Sequence, residues 1–305
     1  MKVVVTGVAG FIGSNLSRYL LDNNIDVVGI DNLSYGVKEQ VPEKVQFFEE
    51  DIRDKQISSL FNNADFVFHL AAKNSLIDCE NNPTETHDIN VSGTKNIFTI
   101  ALEKNIKKVI YAESSAVYEG IKALPSIEST TSPQSVYAKS KMETNIIANS
   151  LFQSKGLVTT GLRYFNVYGP HQDYRRTIPP VFSAFIINML KGEQPTIYGD
   201  GSKKRDFIYV DDVNDFHLMC MNNIKADNKI FNVGSGKNYS IKSIYNEIRK
   251  ILQSDIEPIF GKNFDFEAQD TLANIDQAKN IGWKPKTDLT IGLKKSIDYI
   301  REHVI

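Results

Sequence analysis

The 305-residue chain is long enough to bury a large core, and its 41% hydrophobic and 24% charged residues are typical of a globular protein. Its formal net charge of −2 creates no field that would attract nucleic acid, and no apolar run approaches the roughly twenty residues of a membrane span. The N-terminus has no signal-peptide pattern, and Cys79 and Cys220 lack the spacing of a disulfide framework or zinc site, so we expect a cytoplasmic protein with buried or half-buried thiols.

Short runs rich in β-branched residues alternate with amphipathic segments in the first half of the chain. Helical spacing of apolar residues is found in Gly13–Asn23 and Gly93–Asn105, and right-handed crossovers would place such helices on both faces of a parallel sheet. The pattern predicts an α/β fold with a doubly wound, Rossmann-type parallel sheet. The predicted strands are Lys2–Thr6, Asp26–Ile30, Val45–Phe48, Phe66–Leu70, Lys108–Tyr111 and Val158–Arg163.

The alternation changes after Gly169-Pro170. Charged and proline-bearing stretches interrupt it before a short return at Phe207–Met221, and helices are predicted at Tyr239–Leu252 and Asp276–Gly282. We therefore predict a smaller, partly discontinuous α/β substrate lobe. In this division, residues 1–168 with 207–234 form the main domain, and residues 169–206 with 235–305 form the smaller lobe.

A glycine-rich loop, Gly7-Val8-Ala9-Gly10-Phe11-Ile12-Gly13, joins the first strand to the first helix. Glycines let the backbone approach a pyrophosphate, whose charge then meets the free amides and positive end of the helix. The gap between Gly7 and Gly10 departs from the commonest spacing, and the loop alone is also compatible with a simple tight turn. Asp31 ends the second strand about twenty residues later, where a carboxylate accepts hydrogen bonds from the adenosine ribose and repels a 2′-phosphate. Together these features predict an NAD-binding main domain that disfavours NADP.

Tyr137 and Lys141 are four residues apart in a predicted helix, Val136–Ser150, so both side chains lie on one face. A free phenol has a pKa of about 10, and general-base work near neutral pH requires lowering it by roughly 3–4 kcal/mol. The Lys141 ammonium and a nearby nicotinamide would stabilise the phenolate, while the Ser114 hydroxyl would hold the substrate oxygen. Such a Tyr–Lys pair is also common in purely structural helices, so by itself it is only a hypothesis of catalysis.

Seven segments then carry a resemblance that covers nearly the whole chain: Thr6–Gly13, Asp31-Asn32, Asp51-Ile52, His69-Leu70-Ala71-Ala72, Ser114–Tyr118, Tyr137–Lys141 and Arg163–Pro170. In these motifs the chain resembles an extended short-chain dehydrogenase/reductase. Within that superfamily it is most similar to the NAD-dependent epimerase/dehydratase family, and there to the UDP-glucose 4-epimerase branch.

The resemblance implies roles for matching residues. Catalysis would fall to Ser114, Tyr137 and Lys141, with no metal. The implied cofactor contacts are Gly7, Gly10, Phe11, Ile12, Gly13, Asp31, Asn32, Asp51, Ile52, Leu70, Ala71, Ala72, Tyr137, Lys141 and Phe165. The implied substrate contacts are Ser114, Tyr137, Asn166, Thr177, Tyr198, Arg205 and Asp270, with Tyr198 on the base and Arg205 on the diphosphate. Relatives commonly dimerise through two helices per subunit, which here would be Thr94–Glu103 and Met142–Leu151.

The residues after Ser114 bear on the reaction. Related sugar dehydratases carry an Asp-Glu pair there for acid–base elimination of water, whereas this chain has Ser115-Ala116. The remaining chemistry is removal of a hydride and a proton from a sugar carbon, and their return to the opposite face. The resemblance therefore implies epimerisation of UDP-glucose and UDP-galactose at C4 through a 4-keto intermediate. The alternatives are a UDP-N-acetylhexosamine or uronate 4-epimerase, a decarboxylase, a keto-sugar reductase and a non-catalytic NAD-binding module.

Several positions depart from the family pattern. Glu267 stands where relatives carry a second phosphate-binding arginine, so Lys262 or Arg176 would have to substitute, or the ligand differs at its phosphates. Glu119 replaces a usual glycine, and Glu113 precedes the catalytic serine. Asn274 aligns with a position that borders the sugar pocket in relatives, which suggests room for a 2-acetamido group. The histidines lack metal-site spacing, and none is assigned to catalysis: His69, His87, His171, His217 and His303.

Overall fold

The computed structural model describes residues 1–175, 179–263 and 269–305. Its strands are β1 (Lys2–Thr6), β2 (Asp26–Asp31), β3 (Gln46–Glu49), β4 (Phe66–His69), β5 (Lys108–Ser114), β6 (Thr159–Tyr164), β7 (Asn166–Tyr168), β8 (Thr196–Tyr198), β9 (Lys204–Tyr209), β10 (Lys229–Val233), β11 (Asn238–Ser240) and β12 (Ile259–Gly261). Seven of them form one sheet in the order β10-β6-β5-β4-β1-β2-β3, and every neighbouring pair is parallel.

The helices cover both faces of this sheet. They are α1 (Phe11–Asp22), α2 (Leu76–Asn81), α3 (Pro83–His87), α4 (Thr94–Glu103), α5 (Val136–Lys155), α6 (Val181–Leu190), α7 (Val210–Asn222), α8 (Ile241–Leu252), α9 (Asp276–Asn280) and α10 (Leu289–His303). Because side chains alternate along a strand, Val3 packs in one core with Leu16 and Phe216, and Val4 packs in another with Phe98. The predicted doubly wound α/β fold is confirmed.

The remaining strands form two small sheets, β11-β9-β7 and β12-β8. A third core joins helices α6, α8 and α10 through Phe182, Tyr245 and Leu293. These mixed elements fit the predicted substrate lobe, while the proposed domain boundaries stay a prediction. The described helices include none with the length and apolar character that a membrane span requires. Both cysteines are buried free thiols, as predicted.

Two elements differ from the sequence-based prediction in ways that matter for the site. Strand β5 continues three residues beyond Tyr111, because Glu113 and Ser114 pair in register with Arg163 and Tyr164 of β6. Residues Asp88–Gly93 form a π-helical turn ahead of α4, a distortion often found near functional sites. Within this turn, the buried Asn90 side chain accepts from the Lys73 amide and donates to the Ser140 hydroxyl at 2.8 and 3.0 Å.

Candidate active site

A cleft of about 630 Å³ opens at the carboxyl ends of β1, β2, β4, β5 and β6, the edge at which open parallel sheets bind ligands. Every residue predicted to contact the cofactor lines this cleft, and so do Ser114, Asn166, Arg205 and Asp270. The tertiary structure thus brings together motifs that are spread over more than half of the sequence. Thr177 and Arg176 lie outside the described residues, as does Glu267.

The glycine loop leaves no space for side chains. Gly7 has a φ of +75°, and a Cβ added at Gly13 would lie 2.1 Å from the Gly7 carbonyl oxygen. Helix α1 begins directly after Gly10, which provides no side-chain cap, and its first turn contains no acidic residue. The amides at this helix end are therefore available for an anion, so the loop fits the pyrophosphate of NAD.

Asp31, at the end of β2, has a structural role that the sequence did not reveal. Its Oδ2 accepts from the Ala9 amide at 3.0 Å, and its Oδ1 accepts from the Leu33 amide at 2.9 Å. Burial raises the pKa of the Asp31 carboxyl, and the hydrogen bonds from Leu33 and Ala9 oppose that rise. The carboxylate thus braces the glycine loop and also faces the cleft, where its remaining lone pairs can accept ribose hydroxyls.

We expect Asp31→Ala to weaken NAD binding by about 10- to 100-fold, because it removes an ionised hydrogen-bond acceptor from both the ribose and the loop. The test is calorimetric titration of the purified variant with NAD and with NADP. Asp26→Ala is the matched control, since Asp26 is exposed at the other end of β2. Unchanged NAD affinity in Asp31→Ala would contradict the assigned role.

The predicted adenine end of the cleft is also tied together by hydrogen bonds. Arg53 donates to both oxygens of Asp51, and Asn32 donates to Oδ2 of the same carboxylate. The Arg53 guanidinium is the main cause that lowers the pKa of Asp51 to about 2. This carboxylate is therefore ionised and held in one orientation at neutral pH.

Ser114, Tyr137 and Lys141 meet at the opposite end of the cleft. The Ser114 hydroxyl, at the end of β5, accepts from the Ala116 amide at 3.2 Å. Tyr137 lies in the first turn of α5, and the Lys141 Nζ lies 5.9 Å from the centroid of its ring. Lys141 is 5% exposed, and its Nζ donates to the Ala112 carbonyl at 3.1 Å. The three side chains thus line the same end of the cleft, with a buried cation next to the phenol.

Burial lowers the pKa of Lys141 to about 8, and the Glu113 carboxylate and Cys79 oppose this decrease. The ammonium form therefore dominates at neutral pH and is lost as the pH rises through that value. A buried cation beside a phenol favours the phenolate, which is the form that a general base requires.

Glu119, a departure from the family pattern, fixes the start of α5. Its Oε2 accepts from the amides of Gln134 and Ser135, and its Oε1 accepts from the Ser135 hydroxyl. Glu80 accepts from the Val136 amide, and the Ser135 hydroxyl caps the helix at Ala138. Carboxylates therefore satisfy the free amides of the helix that carries Tyr137. This arrangement could not be predicted from the sequence, because Glu80 lies 56 residues from its partner.

Lys73 is a lining residue that sequence reasoning missed. It follows the His69-Leu70-Ala71-Ala72 motif directly, is 3% exposed and forms an ion pair with Glu85. Asn90 fixes its backbone through hydrogen bonds to both its amide and its carbonyl. The position of Lys73 directly after a recognised motif could have identified it as a lining residue.

The substrate side is less well matched to the predictions. Asn166 donates to the Asp206 carbonyl at 3.1 Å and lines the cleft together with Thr271. Tyr198 is 44% exposed and is not among the described residues that line the cleft. Asn274 also lies outside this lining. Its side-chain amide is engaged by hydrogen bonds with Asp276 in a local turn.

Comparison with known proteins supports the same reading of the cleft. Residues 3–234 match the NAD dependent epimerase/dehydratase family. The chain is 36% identical to a putative UDP-glucose 4-epimerase of Methanocaldococcus jannaschii over 99% of both chains. Its fold is similar to a UDP-glucose 4-epimerase of Thermotoga maritima solved with UDP-glucose, at 32% identity, 100% coverage of both chains and a TM-score of 0.96. It is also similar to a UDP-N-acetylglucosamine 4-epimerase of Methanobrevibacter ruminantium M1 in complex with UDP-N-acetylmuramic acid, at 34% identity, 99% coverage of both and a TM-score of 0.95.

Proposed function

The chain belongs to the NAD-dependent epimerase/dehydratase family, and from that premise we propose that it interconverts UDP-glucose and UDP-galactose by inverting C4. The family and the cofactor NAD agree with the sequence prediction, and relatives include several nucleotide-sugar 4-epimerases. The observation that carries the proposal is the convergence of Ser114, Tyr137 and Lys141 at one end of the NAD cleft.

In the proposed mechanism, Tyr137 takes the proton of the C4 hydroxyl, and Ser114 holds the same oxygen by a hydrogen bond. Lys141 stabilises the phenolate that Tyr137 needs before it can act as a base. When bound, NAD supplies the acceptor and donor of the hydride at C4. After the keto sugar has rotated to present its opposite face, Tyr137 returns the proton to the C4 oxygen. Tight binding at the nucleotide and loose binding at the sugar allow this rotation without escape of the intermediate.

The side chains next to Ser114 favour epimerisation over elimination of water. Ser115 and Ala116 line the cleft at this point, and neither can serve as the carboxylic acid or base that a dehydration requires. The anchored carboxylate of Glu119 lines the cleft beside them. The Glu119 carboxylate would repel a negatively charged sugar, so a neutral hexose is favoured over a uronic acid.

The proposed function is tested by incubating the purified protein with UDP, GDP and dTDP sugars and separating the products by chromatography with mass detection. We expect UDP-glucose and UDP-galactose to interconvert without added NADH, because the same cofactor returns the hydride. A requirement for added NADH would indicate a reductase, and turnover confined to UDP-N-acetylhexosamines would replace the hexose assignment. Absence of turnover with every nucleotide sugar would overturn the proposal.

We also propose that the protein is a homodimer paired through α4 and α5. Ile146 lies on α5 and is 58% exposed, so this face of the helix is open to a partner. A second copy of the same helix pair would cover it symmetrically. Ile146→Glu should give a monomer in sedimentation velocity, and an unchanged mass would place the interface elsewhere.

A further inference from the structure

A buried ion pair lies under the catalytic helix. Glu113 on β5 and Arg163 on β6 are each 1% exposed and occupy partner positions in the sheet. The Arg163 Nε donates to Glu113 Oε2 at 2.7 Å, and its Nη1 donates to the Tyr118 hydroxyl and the Glu128 carbonyl. The arginine is thus bound on several sides, and the carboxylate has a fixed position.

The pair faces α5. Tyr111 precedes Glu113 by two residues, so both lie on the same face of β5, and Tyr111 packs in one core with Ala148 of α5. Glu113 is buried on this face, and a hydrogen bond with the Tyr111 hydroxyl opposes the rise that burial causes in the pKa of its carboxyl. Lys141 Nζ donates to the carbonyl of Ala112, directly next to Glu113. The buried carboxylate and the buried ammonium of the active site thus lie close in the fold and act on each other through space.

We propose that Glu113 is a positioning residue that stabilises the positive charge of Lys141 and so maintains the electrostatics around Tyr137. The inference rests on the proposed function, because it assigns Glu113 a part in the chemistry of Tyr137. Glu113 and Lys141 influence each other directly: burial lowers the pKa of Lys141 and Glu113 raises it, while burial raises the pKa of Glu113 and Arg163 and Lys141 lower it.

The other titratable groups around Lys141 do not supply this negative charge. Burial lowers the pKa of His69 on β4 to about 3, so its ring is neutral. Burial raises the pKa of the Cys79 thiol on α2, so it stays protonated at neutral pH. Tyr137 is the group that Lys141 is required to activate. Among the residues that the structure describes, Glu113 is thus the resident anion that acts on Lys141.

The first test is the pH dependence of turnover in Glu113→Gln. In the profile of turnover against pH, turnover decreases at alkaline pH as Lys141 loses its proton. A less stable ammonium moves this alkaline limb of the profile to lower pH. We expect a displacement of about one pH unit or more, since a lost counter-charge at close range has an effect of this size. The double variant Glu113→Gln/Arg163→Met removes both buried charges, so its limb should lie between those of Glu113→Gln and the wild type. An unmoved limb in both variants overturns the inference, whereas a wild type without turnover counts against the proposed function instead.

A second measurement needs no turnover. The pKa of Lys141 is lower in the folded than in the unfolded chain, so the folded state binds fewer protons between these values. The free energy of unfolding therefore rises with pH in this window. The free energy of unfolding is measured on the NAD-loaded protein and on its Lys141→Met variant from about pH 6 to pH 9. The difference between the two free energies isolates the contribution of Lys141. In the Glu113→Gln background the window should begin at lower pH, and identical windows in both backgrounds contradict the inference.

Asp227→Asn is the matched control. Asp227 pairs with Lys108, a buried lysine at the opposite end of β5, and the two side chains are 30% and 6% exposed. Its loss should lower the free energy of unfolding without moving the alkaline limb. An equal displacement of the limb in Asp227→Asn would show that general destabilisation, not the charge of Glu113, controls the pH dependence.

Discussion

Tyr137→Phe should lower kcat by about 10²- to 10⁴-fold while the protein still binds NAD. The substitution removes only the hydroxyl that exchanges a proton with the sugar, and the ring keeps its place in the first turn of α5. The glycine loop and Asp31 lie at the other end of the cleft and are not touched. Turnover and bound NAD are measured on the same preparation, by product chromatography and by mass spectrometry of the released cofactor.

Tyr245→Phe is the control for loss of a hydroxyl. Tyr245 is buried in the third core, and its hydroxyl donates to the Ile256 carbonyl at 2.6 Å, outside the cleft lining. This variant should lose about 1 kcal/mol of stability and keep its turnover. Near-normal turnover in Tyr137→Phe would show that another group is the base.

Gly13→Ala should abolish NAD binding or prevent folding of the first βαβ unit. The added Cβ would lie 2.1 Å from the carbonyl oxygen and 2.8 Å from the carbonyl carbon of Gly7, and both are backbone atoms. Gly7 is itself held in place, because its amide donates to the Ile30 carbonyl at 2.8 Å. Forced shifts of packed backbone cost about 1–3 kcal/mol or more, so we expect NAD affinity to fall by about 10- to 100-fold or more.

Gly156→Asn separates this local effect from the general cost of replacing a glycine. Gly156 ends α5 with a φ of +72°, and a Cβ there meets nothing within 4 Å. Asparagine tolerates this left-handed conformation, so NAD binding and thermal stability should stay close to those of the wild type. Calorimetric titration with NAD and thermal unfolding check both variants. Normal NAD affinity in Gly13→Ala would mean that the pyrophosphate does not approach this loop.

Strands β1, β2, β4, β5 and β6 of the main sheet were predictable because most of their residues are buried on both faces, whereas β10 was not predicted. Such strands appear in the sequence as continuous β-branched runs, as in Val3 to Val5, which need no knowledge of their neighbours. The last three residues of β5 lie beyond the apolar run Lys108–Tyr111 and carry no such pattern. Glu113 has no place in an apolar strand until Arg163, 50 residues away, pairs with it in the adjacent strand.

In the candidate site too, some features were predictable from local sequence, and others depend on the folded structure. The glycine loop with Asp31, and the Tyr137–Lys141 pair, are short-range patterns whose chemistry depends on spacing within one turn or one helix. The orientation of Asn274 depends instead on a local turn with Asp276, which alignment with relatives does not reveal. Tyr198 matched a family segment, yet its side chain is largely exposed and outside the described cleft lining.

The sequence by itself thus determined the fold class and the cofactor, because both depend on patterns within single strands, turns and helices, and the family resemblance pointed to the three side chains proposed for catalysis. Only the tertiary structure decided how those side chains are charged and held. Glu119 and Glu80 occupy the amides at the start of α5. Glu113 acts on Lys141 because the Lys141 ammonium reaches the Ala112 carbonyl, next to Glu113 on β5. Such electrostatics arise from burial and from partners distant in sequence, and these exist only once the chain has folded.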